Sequence, residues 1–219
     1  MKEKNTTSRG NEKLHEVIKN IPPGSNILMC FGEIDCRVHL LKQSLDQKRK
    51  IEYVVDECVE RYFNVIKNVK NNFNVMIWAV VPSTPSEKVI DARFPHFGTN
   101  IERNYVTKIF NKKLENLCMK NNITYITLFN KLINIDGTTN KKYFGDNVHL
   151  SQNAMPIAIQ EIQKTSGIKI NLFPKPLSLM PMEIQKGFFI IKTTLITMFN
   201  KIFIKIKSLI KYLIKKIVN

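Results

Sequence analysis

Three short apolar runs set the pattern of the first 170 residues. Each run lacks polar alternation, which is typical of strands covered on both faces in a parallel sheet. The first run is followed by Gly32 and the second by Pro82. Strands are therefore predicted at residues 27–31, 74–81 and 123–129.

Between these runs, apolar residues recur every three or four positions, which predicts amphipathic helices. The most regular repeat spans residues 51–69, and further helices are predicted at 11–19 and 106–117. The last helix follows Ser151 or Asn153, either of which fits as its cap. Alternating strands and helices predict an α/β fold with a parallel sheet of three strands.

Changes in composition divide the chain into four parts. Residues 1–9 are polar and predicted to be flexible, and residues 10–170 form the α/β domain. Residues 171–186 contain three prolines and are predicted to be a linker. Residues 187–219 show Ile and Leu on one side of a helical projection and Lys on the other, which predicts a basic amphipathic helix.

Most of the unusual charge lies in this last part. The chain has a formal charge of +16, but residues 187–219 hold seven lysines and no acid, so 27 basic and 18 acidic residues leave +9 for the rest. The lysines interrupt the apolar residues too often for a membrane span. We expect the helix to bind the interface of an anionic membrane, with a helix packed on a partner or a disordered tail as alternatives.

Other patterns exclude several classes of protein. Basic residues in the body are scattered and no RNA-binding or zinc-finger spacing occurs, so no nucleic acid partner is expected. The four cysteines form no CxxC pair, which predicts reduced thiols and no metal site. The first residues contain no apolar signal region. We therefore expect a cytoplasmic protein, with a peripheral position on the inner face of a membrane left open.

Polar residues cluster directly after the first predicted strand. Gly32, Glu33, Asp35 and Arg37 follow the apolar run at its carboxyl end. In open α/β sheets that end of the strands binds ligands, so these four residues are candidates for a substrate pocket. The alternative is a salt-bridged loop that only closes the strand.

A second candidate pair precedes the last predicted helix. Asp146 lies three residues before His149, a spacing that lets the carboxylate reach the imidazole. A histidine oriented by a carboxylate can act as a general base. The alternative is a surface hydrogen bond that caps the next helix.

The order of these motifs resembles the later blocks of the SGNH/GDSL hydrolases. GEIDCR follows one strand, a second strand ends in VVP, and GDNVHLS precedes the final helix, so the resemblance covers residues 24–165. It implies a three-layer, flavodoxin-like fold and hydrolysis of O-acyl esters on carbohydrates or cell-surface polymers, without a cofactor. It also implies that His149 is the base, that Asp146 orients it, and that Gly32 and its neighbours form the oxyanion side of the pocket, with Arg37 as an alternative anion-stabilising group.

The sequence departs from this family at its start, because the nucleophilic serine block and the strand before it are absent. Ser8 and Ser25 do not follow an apolar run, and the acid beside Cys36 disfavours a thiolate nucleophile. An N-terminally shortened sheet is therefore expected. Three interpretations remain open: a hydrolase completed by a second chain, a truncated reading frame, or an inactive, membrane-peripheral module that binds a ligand.

Overall fold

The computed structural model describes residues 10–89, 92–146 and 148–170. Residues 1–9, the linker predicted at 171–186 and the helix predicted at 187–219 lie outside the described residues.

A parallel three-stranded sheet forms the centre of the described domain. The strands are β1 (Asn26–Met29), β2 (Asn74–Trp78) and β3 (Thr124–Ile126), in the order β1-β2-β3. The predicted α/β class and the parallel sheet are confirmed. Each strand ends earlier than its apolar run: after β2 and β3 the next side chains are still buried although the ladder has ended, whereas Cys30 and Phe31 after β1 are exposed.

Within the described residues, five α-helices surround the sheet: α1 (Gly10–Ile18), α2 (Leu40–Asp46), α3 (Ile51–Lys70), α4 (Asn100–Lys120) and α5 (Met155–Ser166). Helices α1 and α3 agree with the sequence prediction. Helix α4 begins six residues before the predicted start, since its first turns carry polar residues on the buried side.

Helices cover both faces of the sheet. Ile77 of β2 packs in the larger core with Val55 and Ile66 of α3 and Phe110 of α4. The next residue, Trp78, points to the opposite face and packs against the smaller cluster that includes Ala158 of α5. The arrangement follows from the apolar repeats, because each helix buries one stripe against one face of the sheet.

The segment after β1 is helical, and no helix is predicted there from the sequence. Cys36 N donates to Gly32 O at 2.9 Å, and a π-helical turn over Asp35–His39 runs directly into α2. A π-turn shifts the helical register by one residue and often occurs at functional positions. Here it lies in the segment that buries Cys36 and Arg37.

Strand β1 lies at an open edge of the sheet. Ser25 O accepts a hydrogen bond from Asn74 N, so the main-chain groups of Asn26 and Leu28 point away from β2. No described strand pairs with them. Leu28 is 44% exposed and Phe31 is 42% exposed, which is unusual for so apolar a strand.

The backbone turns sharply at Gly32, directly beyond β1. Its φ is +100°, a conformation that favours glycine. A Cβ atom at this position would lie 2.7 Å from Cζ of Phe110 and 3.2 Å from Cγ2 of Val80, so the turn also needs the space that a side chain would fill. Gly32 thus fixes how closely the chain leaving β1 approaches α4.

We expect Gly32→Ala to lower the free energy of unfolding by roughly 1–3 kcal/mol more than Gly137→Ala does. Gly137 is the matched control because it also has a positive φ, +84°, but a Cβ atom added there would meet no neighbouring side chain or backbone within 4 Å. Urea unfolding followed by circular dichroism measures both variants. Equal losses would mean that only the backbone conformation, and not the contact with Phe110, requires glycine.

Candidate functional site

The loops that follow the three strands meet at one edge of the sheet, because parallel strands all end there. The turn at Gly32 follows β1, the long connection to α4 follows β2, and the segment containing Asp146 and His149 follows β3. The two groups of residues nominated from the sequence therefore lie at the same edge.

Asp146 and His149 are joined as their spacing predicts. Asp146 Oδ2 lies 2.7 Å from His149 Nδ1, and Oδ1 accepts hydrogen bonds of 2.7 Å from the main-chain N–H groups of Val148 and His149. Gly145 N donates to His149 O at 2.9 Å, and Ser151 N donates to Tyr143 O at 2.8 Å. This local hydrogen bonding fixes the carboxylate and directs it at the imidazole.

The carboxylate is held in its charged form. Partial burial acts to raise the pKa of Asp146, but the amide donors of Val148 and His149 and the His149 imidazole outweigh it and lower the pKa to about 2. Asp146 is thus ionised throughout the neutral range. With Nδ1 directed at this anion, Nε2 is the imidazole nitrogen left for a substrate, and the side chain is 67% exposed.

A short 3₁₀ turn with its own cap precedes the last predicted helix. Ser151 Oγ accepts from Asn153 N at 3.2 Å and so caps a 3₁₀ turn over Gln152–Ala154. Helix α5 starts immediately afterwards, with Pro156 in its first turn. The prediction that Ser151 or Asn153 caps α5 is wrong, because the N-cap of α5 is Ala154 and Ser151 caps only the 3₁₀ turn before it.

The residues after β1 are arranged around Arg37. Its guanidinium is 4% exposed, and Nε and Nη2 lie 2.5 and 3.3 Å from the two carboxylate oxygens of Glu33. Nη1 donates to Pro95 O in the loop after β2. Asp35 is half-buried beside this pair. Three donors of Arg37 therefore already have partners, and no described hydrogen bond joins this group directly to His149.

The loop after β2 connects the two groups. The rings of Phe94 and His149 lie edge to face, with centroids 5.7 Å apart and planes at 88°. The adjacent residue, Pro95, accepts the hydrogen bond from Arg37, and Phe97 N donates to Arg37 O at 3.0 Å. One short segment of the loop thus contacts both Arg37 and the imidazole.

Helix α4 holds this loop with a buried polar face. Asn111 pairs with the main chain of Val80 in both directions, accepting from its N–H at 3.0 Å and donating to its carbonyl at 2.7 Å. Arg103 is fully buried and donates to Ser83 Oγ and to three main-chain carbonyls of the loop. Two of these carbonyls, Thr84 and Ser86, lie at the start of the loop, and the third, Gly98, lies at its end. The sequence around Arg103, Phe110 and Asn111 does not show what these side chains contact.

A polar pocket of about 440 Å³ adjoins this network at the same edge of the sheet. Its walls include Glu87, Asn134, Thr138 and Lys141, which the sequence did not nominate. Glu87 accepts from Asn100 N with both oxygens at 3.1 Å, at the start of α4. Carboxylate, amide, hydroxyl and ammonium groups together suit a neutral, hydroxyl-rich ligand.

No nucleophile is joined to His149 among the described residues. Ser83 is buried against Arg103, and Ser151 caps the turn before α5. Burial raises the pKa of the Cys36 thiol well above its ordinary value, and the nearby Cys58 and Asp35 add to this effect. Cys36 is therefore not a thiolate at neutral pH.

All four cysteines are free, as predicted. Within the described ranges, no cluster of His, Cys, Asp or Glu is arranged to hold a metal ion. Of the helices described, none has the length and apolar character needed to cross a membrane. The sequence matches no protein-family model, and no curated protein is significantly similar to it.

We expect the Asp146 carboxyl to titrate with a midpoint near pH 2, and the midpoint to rise in His149→Ala, because that variant loses one of the three bonds to the carboxylate. Since the folded pKa lies below the unfolded value, the stabilisation is complete above about pH 4 and is lost as the pH falls toward 2. Carbon-detected NMR of the Asp side chains measures the midpoint.

Asp136 is the internal control for this titration. Hydrogen bonds from Thr138 also lower its pKa, and its partners do not include His149. Its midpoint should stay unchanged in His149→Ala. An unshifted Asp146 midpoint in that variant would contradict the inferred coupling between the carboxylate and the imidazole.

Proposed function

We propose that this chain carries the histidine and aspartate half of an ester hydrolase similar to the SGNH/GDSL family, acting on O-acyl esters of carbohydrates or cell-surface polymers. One observation carries the proposal: the 2.7 Å contact between Asp146 and His149 at the edge of the sheet where the strands end. Asp146 and His149 also follow the turn at Gly32 along the chain, which is the order that the resemblance implies.

In the proposed reaction a hydroxyl oxygen attacks the carbonyl carbon of the ester while Nε2 of His149 takes its proton. Asp146 keeps Nδ1 directed toward itself and stabilises the imidazolium that forms. The proton then passes to the leaving alcohol as the ester C–O bond breaks. A water molecule, deprotonated by the same imidazole, then attacks the acyl carbon; the acyl C–O bond breaks, the acid leaves, and the imidazolium returns the proton to the hydroxyl oxygen.

The strand order supports the resemblance. A flavodoxin-like sheet has the order 2-1-3-4-5, so removal of its first two strands leaves three parallel strands in sequential order. The described sheet has that order. Helices on both faces are likewise what a three-layer fold would retain.

The outer edge of β1 in the described sheet supports an added strand as the position of the missing block. The main-chain groups of Asn26 and Leu28 face this edge without a described partner strand, and the exposed side chain of Leu28 is apolar. A parallel strand added there would end beside Gly32, at the edge that carries the dyad. A hydroxyl at the end of that strand would be the nucleophile.

The adjoining pocket supports the substrate class. Its walls present Glu87, Asn134, Thr138 and Lys141, donors and acceptors that match the hydroxyl groups of a carbohydrate. The acyl ester would then lie toward His149. Arg37 is better placed to support the loop than to bind an oxyanion, because its guanidinium is buried and paired with Glu33.

The purified chain should hydrolyse p-nitrophenyl acetate slowly, because the dyad can activate water in place of the missing hydroxyl. We expect His149→Ala to lower this turnover by about 100-fold or more, the usual contribution of a general base. His39→Ala is the control, since His39 lies on the π-turn outside the dyad. Turnover that survives in His149→Ala would remove His149 from the mechanism.

A membrane-peripheral binding module is the second candidate, favoured by the lysine pattern of residues 187–219 and by the lack of a described nucleophile beside His149. In this case the chain would bind vesicles containing phosphatidylserine but not vesicles of phosphatidylcholine alone. Deletion of 187–219 would abolish the binding, as measured by co-sedimentation. Vesicle binding together with no ester turnover favours this candidate, whereas turnover without vesicle binding contradicts it.

A further inference from the structure

Residues 94–98 are the physical connection between the segment after β1 and the dyad. Phe94 lies edge to face with His149 at a centroid distance of 5.7 Å. The following residue accepts a hydrogen bond from Arg37, and Gly98 accepts one from Arg103. A short stretch of chain therefore contacts the imidazole at one end and two buried guanidinium groups along its length.

Both guanidinium groups are fixed by their own surroundings. Arg103 is fully buried and donates to Ser83 Oγ at 3.1 Å, to Thr84 O at 2.9 Å and to Ser86 O at 2.7 Å. Arg37 is paired with both oxygens of Glu33. Planar groups held by several bonds at once provide rigid anchors, which a lysine cannot reproduce.

The imidazole of His149 needs such support. Its side chain is 67% exposed and hydrogen-bonded at Nδ1 alone in the described part of the chain. One hydrogen bond fixes the direction of a single nitrogen but does not prevent the ring from swinging into solvent. A second contact at the ring is required to hold the bonded orientation.

We propose that Phe94 is a positioning residue that holds the His149 ring in the orientation bonded to Asp146, and that Arg37 acts on the dyad through the backbone of Pro95 and Phe97. This assigns the buried arginine of GEIDCR a role at the imidazole without direct contact. The inference concerns the orientation of the ring, so it does not require the chain to be a hydrolase.

The test uses the full chain with ¹⁵N-labelled histidine. At a pH where the imidazole is neutral, long-range ¹H–¹⁵N spectra show whether the proton resides on Nδ1 or Nε2. A ring bonded to Asp146 keeps its proton on Nδ1, whereas a ring that swings away loses that preference. In Phe94→Ala we expect the ratio of Nδ1-protonated to Nε2-protonated ring to fall roughly 2- to 10-fold, the factor expected from the strength of an edge-to-face aromatic pair.

Three further variants make the result specific. Phe94→Tyr retains the ring and should give the wild-type spectrum. Arg37→Lys should lower the ratio in the same direction as Phe94→Ala, because lysine cannot bond Glu33 and Pro95 with the same geometry. Arg49→Lys, at a partly exposed ion pair with Glu57, should leave the ratio unchanged. Circular dichroism monitors the fold in each variant.

A wild-type ratio in Phe94→Ala would overturn the role of Phe94. A wild-type ratio in Arg37→Lys, with a lowered ratio in Phe94→Ala, would overturn the part of the proposal that concerns Arg37. Neither readout depends on ester turnover, so failure of the proposed hydrolase activity leaves both results interpretable.

Discussion

The buried polar face of α4 is the constraint on which the candidate site depends. When the chain leaves β2 it stops pairing with neighbouring strands, yet it remains inside the protein, where unpaired N–H and C=O groups are unfavourable. The side chain of Asn111 bonds both main-chain groups of Val80, as a neighbouring strand would. Arg103 donates to the carbonyls of Thr84 and Ser86 further along the loop. Side chains of α4 therefore fix both ends of the loop. Its shape sets where Phe94 and Pro95 lie.

Helices could be predicted from the sequence where the side chains that they bury form a single apolar stripe. Helix α3 has such a stripe over its whole length, and its predicted range differs from the observed one by a single residue. The first turns of α4 escaped prediction because Asn100, Arg103 and Asn104 are buried there, and an apolar repeat does not detect buried polar side chains. Helix α2 follows a π-turn, which breaks the repeat on which the prediction relies.

The site was predictable to the extent that its contacts are local. Asp146 and His149 are three residues apart, so their hydrogen bond follows from spacing alone. The contact between Arg37 and Pro95 spans 58 residues, and no local pattern indicates it. Phe94 carries no signal of its own either, because an aromatic residue in a Pro-rich loop is as compatible with a surface position as with a contact to the imidazole.

The proposed function gives two separate features one explanation. Strand β1 has the apolar composition of a strand covered on both faces, yet Leu28 is exposed and no described strand pairs with its outer edge. The dyad has an oriented imidazole, yet no described hydroxyl is bonded to it. Neighbouring strands lie about 4.8 Å apart, and parallel strands end at the same edge. A strand beside β1 would therefore cover the apolar edge. The last residue of that strand would lie near Gly32, at the end of the sheet where Arg37 and Phe94 connect to His149. Under the proposed function, one added strand would therefore both cover this edge and bring a hydroxyl toward the dyad.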